Sequence, residues 1–267
     1  MTVHSGPAGR PPAVAGRFYP AEPARLAATV DALLSAAGPA PAAGGRLPAL
    51  VVPHAGYRYS GPVAAAAYAL VRSRSPARVV LLGPSHFVPL TGSAVPRAAA
   101  WSTPLGPVPV DRAARDLALA VPGVHAADEP HAGEHALEVQ LPFLQRAVGP
   151  EPAILPVATA VSPEDVADLL DAVAADPRTL VVVSTDLSHH LADATARDRD
   201  GRTIEAVLAL RADLVGPGSA CGGHALRGLL AWARRTGRTP ALLAYRTSAD
   251  ATGDPHRVVG YAAFALR

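Results

Sequence analysis

The chain has 267 residues, 24 basic against 22 acidic side chains, a formal charge of +2, 49% hydrophobic residues and 4% aromatic ones. That composition fits a globular protein with a sizeable core. Every basic residue is Arg, which excludes lysine-based Schiff-base and P-loop chemistry. With no run of Arg, there is also no basic stripe for nucleic acid.

Residues 1–12 are rich in Gly and Pro and read as a flexible N-terminus, with one domain expected over 13–267. A helix is expected over 23–38, stopped by Gly38. The apolar run 48–54 reads as a buried strand, 61–73 as a helix opened by Pro62, and 77–86 as a second buried strand. Edge strands around a turn are expected over 93–111, where Pro and Gly recur. A helix is expected over 111–121. Another is expected within 131–149, interrupted or started near Pro142. Then come a strand over 153–158, a helix over 162–176 capped by Ser162, and a strand over 179–186. Part of 196–211 and all of 221–237 read as helical, and 241–247 and 257–267 as strands. Apolar strands alternating with helices signal an α/β fold around a mostly parallel sheet covered on both faces.

In such sheets ligands sit beyond the carboxyl ends of the strands. Three apolar runs here end in groups able to bind or move protons and metals. His54 follows LVVP, His86 follows VVLLGPS, and Asp186 and His189 follow LVVVST. A lone histidine at a strand end is more often a hydrogen-bonded structural residue. Three such ends, joined by a cysteine at the start of a helix, favour a site. Cys221, followed by Gly222, Gly223 and His224, is the chain's one cysteine, so no internal disulfide can form. Helix N–H groups would lower its pKa and make it a metal ligand or nucleophile. Two histidines and a thiolate leave coordination positions open for water, substrate or dioxygen. In HAGEHALEVQLPF, a helix would put His131 and His135 on one face, with His135 and Glu138 able to face the crevice together. No signal segment and no 18-residue apolar stretch are seen, so no membrane span and a cytoplasmic location are expected.

The motifs AGRFYP, VVPHAGYRYSGPVAAAAY, LLGPSHF, STPLGPVPVD, EHALEVQLPFL, VVVSTDLSHH and CGGHAL occur in the order found in Memo-family proteins, which this chain resembles from about residue 13 to 267. The resemblance extends to the bacterial AmmeMemoRadiSam system protein B type. It implies the fold of class III extradiol dioxygenases, a mostly parallel mixed sheet with helices on both faces. It implies His54, His86 and Cys221 as metal ligands, with iron or copper as the metal and zinc as a further option. Asp186 and His189 would line the pocket, His189 as acid/base, with His135, Glu138 and His224 around them. Radical-SAM and AMMECR-type proteins are the partners implied. A redox-active metal protein is therefore the leading expectation. One alternative is an iron(II) extradiol-type dioxygenase in which an acid such as Asp186 or Glu138 joins the histidines. Others are a non-catalytic module binding a peptide or partner protein, and a metal-free Cys221–His nucleophile; a small molecule or peptide is the occupant expected in the pocket.

Overall fold

The computed structural model describes residues 9–38, 49–72, 74–149 and 152–267. Residues 1–8 of the stretch expected to be flexible lie outside the described residues. The elements run α1 (Pro23–Ala36), β1 (Ala49–Val52), α2 (Tyr57–Tyr68), β2 (Arg78–Gly83), β3 (Gly92–Val95), β4 (Ala100–Thr103), β5 (Gly106–Pro109), α3 (Arg112–Leu119) and β6 (Val124–Ala126). They continue with α4 (Glu129–Ala132), α5 (Leu141–Ala147), β7 (Ile154–Ala160), α6 (Pro163–Val173), β8 (Thr179–Ser184), β9 (His189–Leu191), α7 (Asp193–Leu208), α8 (Gly223–Arg235), β10 (Pro240–Thr247), α9 (Ala249–Thr252) and β11 (Val258–Leu266).

Most strands form one mixed sheet in the order β10-β11-β1-β8-β2-β7-β3-β6, with β9 paired to β11, and β4 and β5 form a separate hairpin. The four central strands β1, β8, β2 and β7 are parallel neighbours. Antiparallel β11 and β3 border them. Burial on both faces is why these central strands read as unbroken apolar runs. The pleat then splits each run. Leu50, Val52, Val79, Leu81, Leu180 and Val182 join one core with α1, α2 and α5. Val51, Val80, Leu82, Val181 and Val183 join the other with α3, α6, α7 and α8. The molecule is a single α/β domain, a large mixed sheet with helices on both faces, as expected. Among the described residues no helix is long and apolar enough to cross a membrane.

The start of α2 and the shared helix face of His131 and His135 are corrected. Helix α2 begins at Tyr57, so Pro62 lies inside it rather than at its start. The N–H that Pro62 lacks would have bonded the carbonyl of Arg58, an exposed residue of the first turn where water can serve instead. Within 131–149 the helix α5 starts at Leu141 with Pro142 in its first turn, as expected, but α4 stops at Ala132 and a 3-10 turn follows at Glu138–Gln140, so His131 and His135 do not share a helix face. The cap on α6 is as expected, with Ser162 Oγ accepting from the N–H of Asp165 at 3.1 Å.

A candidate metal centre at the strand ends

Because β8 lies between β1 and β2, the loops after all three open into one crevice. The β1 loop delivers His54, the β2 loop His86 and the β8 loop Asp186. Cys221 reaches them from the residues before α8. Gly222 explains that approach: a Cβ there would fall 2.7 Å from the carbonyl oxygen of Ser184, and the Gly222 N–H is donated to Thr185 Oγ1 at 2.8 Å. A side chain at position 222 would push Cys221 off the end of β8.

His54, His86 and Cys221 each offer one ligand atom, and these atoms all lie within 4.8 Å of one another. Cys221 Sγ stands 3.2 Å from His54 Nε2. Hydrogen-bond logic fixes both imidazoles. Ser184 donates its only hydroxyl proton to the carbonyl of Ala136 at 2.7 Å and accepts from Gln140 Nε2 at 2.9 Å. The His54 Nδ1 contact to Ser184 Oγ at 2.9 Å therefore requires Nδ1 to donate. Nε2 of His54 is left with a lone pair toward the crevice. His86 is held likewise, its Nδ1 2.9 Å from Glu134 Oε1 and its backbone N–H donated to Glu134 Oε2 at 2.6 Å. A carboxylate only accepts, so His86 Nδ1 donates and Nε2 is the ring atom left for the site. Two imidazoles braced through Nδ1, beside a sulfur, form a donor set that fits iron, copper or zinc.

Electrostatics separate these groups. Burial lowers His54, and the neighbouring His135 and His86 lower it further. Burial also lowers His135. Burial alone would raise the Glu134 carboxyl, but hydrogen bonds from His86 and from the backbone of Ala136 outweigh it and bring it down to about 2. Burial pushes the Cys221 thiol up to about 12, and the charge of Asp186 adds to this. The helix-start argument predicted the opposite. Here α8 begins two residues after Cys221, and loss of solvent at the sulfur dominates. Asp186 is buried, and that raises its carboxyl, although its Oδ1 accepts the His54 N–H at 2.8 Å.

The other residues read from the sequence fall in different places. His135 belongs to the cluster: its ring stacks on His86 at 4.8 Å and meets His54 edge-on at 5.3 Å. His189 lies exposed at the start of β9, close enough for its charge to act on His54 and Asp186. His224 is exposed and donates Nδ1–H to the carbonyl of Val161 at 2.8 Å. It shares with His86, Phe87 and Cys221 the wall of a cavity of about 320 Å³. Glu138 points away from the crevice. It is fully buried and accepts from Arg10 Nη1 at 2.7 Å, Tyr19 Oη at 2.6 Å and the N–H groups of Ala13 and Val14 at 2.7 and 3.0 Å. Its oxygens are thus committed elsewhere, which removes it as an iron ligand. Arg10, within the stretch expected to be flexible, is tied down and also donates to the carbonyls of His131 and Glu134.

His131 sits apart from His135, buried against Trp101 with Nε2 3.1 Å from the carbonyl of Ala94. Burial holds its pKa down to about 4, against the opposing hydrogen bond to Ala94. Between pH 6.5 and 4 the unfolded chain therefore takes up a proton that the folded chain refuses. The expected result is stability that falls with acidity across this window, by up to about 1.4 kcal/mol per pH unit from this residue. Urea unfolding at several pH values would show a shallower slope in His131→Leu. An unchanged slope would refute the assignment.

The sequence matches the family model described as Memo-like protein over residues 10–265. It is 37% identical to a MEMO1 family protein of Methanopyrus kandleri, over 97% of this chain and 99% of that one. It is 35% identical to a MEMO1 family protein of Aquifex aeolicus, over 94% of this chain and 97% of that one. The crystal structure of an uncharacterized protein from Escherichia coli K12 aligns with a TM-score of 0.55 at 14% identity, covering 83% of this chain and all of that one, a likeness of fold.

Proposed function

The chain belongs to the Memo-like protein family, and from that premise we propose that His54, His86 and Cys221 hold one iron or copper ion in an open site that carries redox chemistry. The observation behind this reading is the convergence of three donor atoms, the two imidazoles among them braced through Nδ1 by Ser184 and Glu134. A thiolate donor in place of a carboxylate favours copper(I), iron or zinc over harder cations. When bound, the ion would supply a redox couple and a Lewis acid beside the cavity.

The chain's own residues supply the rest. Cys221 gives up its proton on binding the ion, and burial makes that proton costly to remove without one. Asp186 fixes the backbone of His54, while His189 at the rim moves protons between solvent and the cavity. His135 and Phe87 form an aromatic wall against which a small molecule would rest. The resemblance further supports radical-SAM and AMMECR-type partners, and a reduced cysteine ligand suits the cytoplasm.

Elemental analysis of protein purified without oxygen tests the reading. About one equivalent of iron or copper is expected in wild type, and far less in Cys221→Ser and His54→Ala. Metal content unchanged in both variants would refute it.

A further inference from the structure

A second cavity, unrelated to the metal ligands, opens between α1, the first turn of α2 and the turn at 16–20, with a volume of about 740 Å³. That is the size of a small-molecule site. Arg25, Thr29 and Leu33 recur at four-residue spacing on α1 and form one wall. Arg58 and Pro62, also four apart, form the facing wall on α2, and Arg17 and Phe18 close the end. All three arginines are exposed, and among the described residues no carboxylate forms an ion pair with any of them. This contrasts with Arg146 and Arg211, each held to an aspartate.

The one acid on the lining is Glu22, whose oxygens are engaged by the N–H groups of Ala24 and Arg25 at 2.9 and 2.7 Å. Three guanidinium charges less one carboxylate leave +2 in the cleft. A phosphomonoester carries about −1.5 to −2 at pH 7, and guanidinium groups bind its oxygens in a forked geometry. A monocarboxylate would neutralise only half of that charge. Beside the arginines lie Phe18, Leu33 and Pro62, an apolar surface that a bare inorganic anion would not use. Phe18 also packs on His135 with ring centroids 4.8 Å apart, so this cleft and the metal crevice share a wall.

We propose that the cleft binds a small organic phosphate, its phosphate on Arg17, Arg25 and Arg58 and its apolar body against Phe18, Leu33 and Pro62. The site stands independently of the metal reading.

Calorimetric titration at low ionic strength with phenyl phosphate, inorganic phosphate and benzoate tests it. Phenyl phosphate is expected to bind tightest, and the exposed pair Arg17→Gln and Arg58→Gln together should weaken it by about tenfold or more. Arg257→Gln, outside the cleft, should leave it unchanged, and so should Cys221→Ser, which removes only a metal ligand. The proposal is overturned if phenyl phosphate gives no heat up to about 10 mM, if the double arginine variant binds as wild type does, or if Cys221→Ser abolishes binding. Benzoate binding as tightly as phenyl phosphate would overturn the phosphate assignment, and inorganic phosphate doing so would overturn the organic one.

Discussion

Glu138→Gln is expected to lower the free energy of unfolding by about 3–5 kcal/mol, because it breaks a buried ion pair and leaves one charge without a partner. Glu138 and Arg10 meet at 2.7 Å with side chains 0% and 5% exposed. The carboxylate accepts from four donors, and those of Arg10, Val14 and Tyr19 are buried away from water. An amide at this position keeps the shape but turns an NH2 group against N–H and O–H donors. Arg10 would stay buried over Trp101, its guanidinium carbon 4.3 Å from the ring centroid, with its charge uncompensated. Asp31→Asn makes the contrasting case. Its partner Arg146 is as close, at 2.6 Å, but both side chains are more than a third exposed, and the expected cost is under about 1 kcal/mol. Urea unfolding of the two variants beside wild type measures the difference. Equal midpoints for Glu138→Gln and Asp31→Asn would show that the N-terminal segment is not held as described.

The same pair shows where the sequence could be read and where it could not. The central strands were legible because burial on both faces leaves a continuous signal such as LVVVS, and their polar ends marked the crevice. Ser162 and Pro163 marked α6 because capping is local chemistry. The stretch from His131 to Gln140 was not legible, since its backbone is decided by a side chain. Glu134 Oε1 accepts the N–H groups of His135 and Ala136 at 2.8 and 2.9 Å, bonds that a continuing helix would have given to carbonyls. The four-residue spacing of His131 and His135 therefore carried no shared face. Glu138, one turn on in a helix, is instead bonded to Arg10 and Tyr19. The direction of the Cys221 pKa is hidden for a related reason: proximity to a helix start can be read from glycines, whereas burial beside Asp186 depends on strand order. Ser184 and Gln140 are silent in the sequence, because Ser and Gln in apolar company carry no signal until a histidine is placed against them.

Glu134 thus does two things, and its replacement should show the larger of them at the metal. Glu134→Gln is expected to weaken metal binding by about 10–100-fold with all three ligands still in place. In wild type the carboxylate accepts the Nδ1–H of His86, which leaves Nε2 as the ring atom facing Cys221 and His54. An amide can accept at only one of its two positions. If its oxygen keeps His86 Nδ1, its NH2 faces the His86 N–H; if it keeps the backbone, His86 loses its brace and can adopt the other tautomer. Acidity cannot mimic the substitution near neutral pH, because a carboxyl brought down to about 2 stays ionised throughout that range. Loss of metal from wild type between pH 7 and 5 would therefore not come from protonation of Glu134. Chelator competition at pH 7 and pH 6 measures both affinities. A Glu134→Gln protein that holds metal as tightly as wild type would mean that the crevice, and not the carboxylate, orients His86.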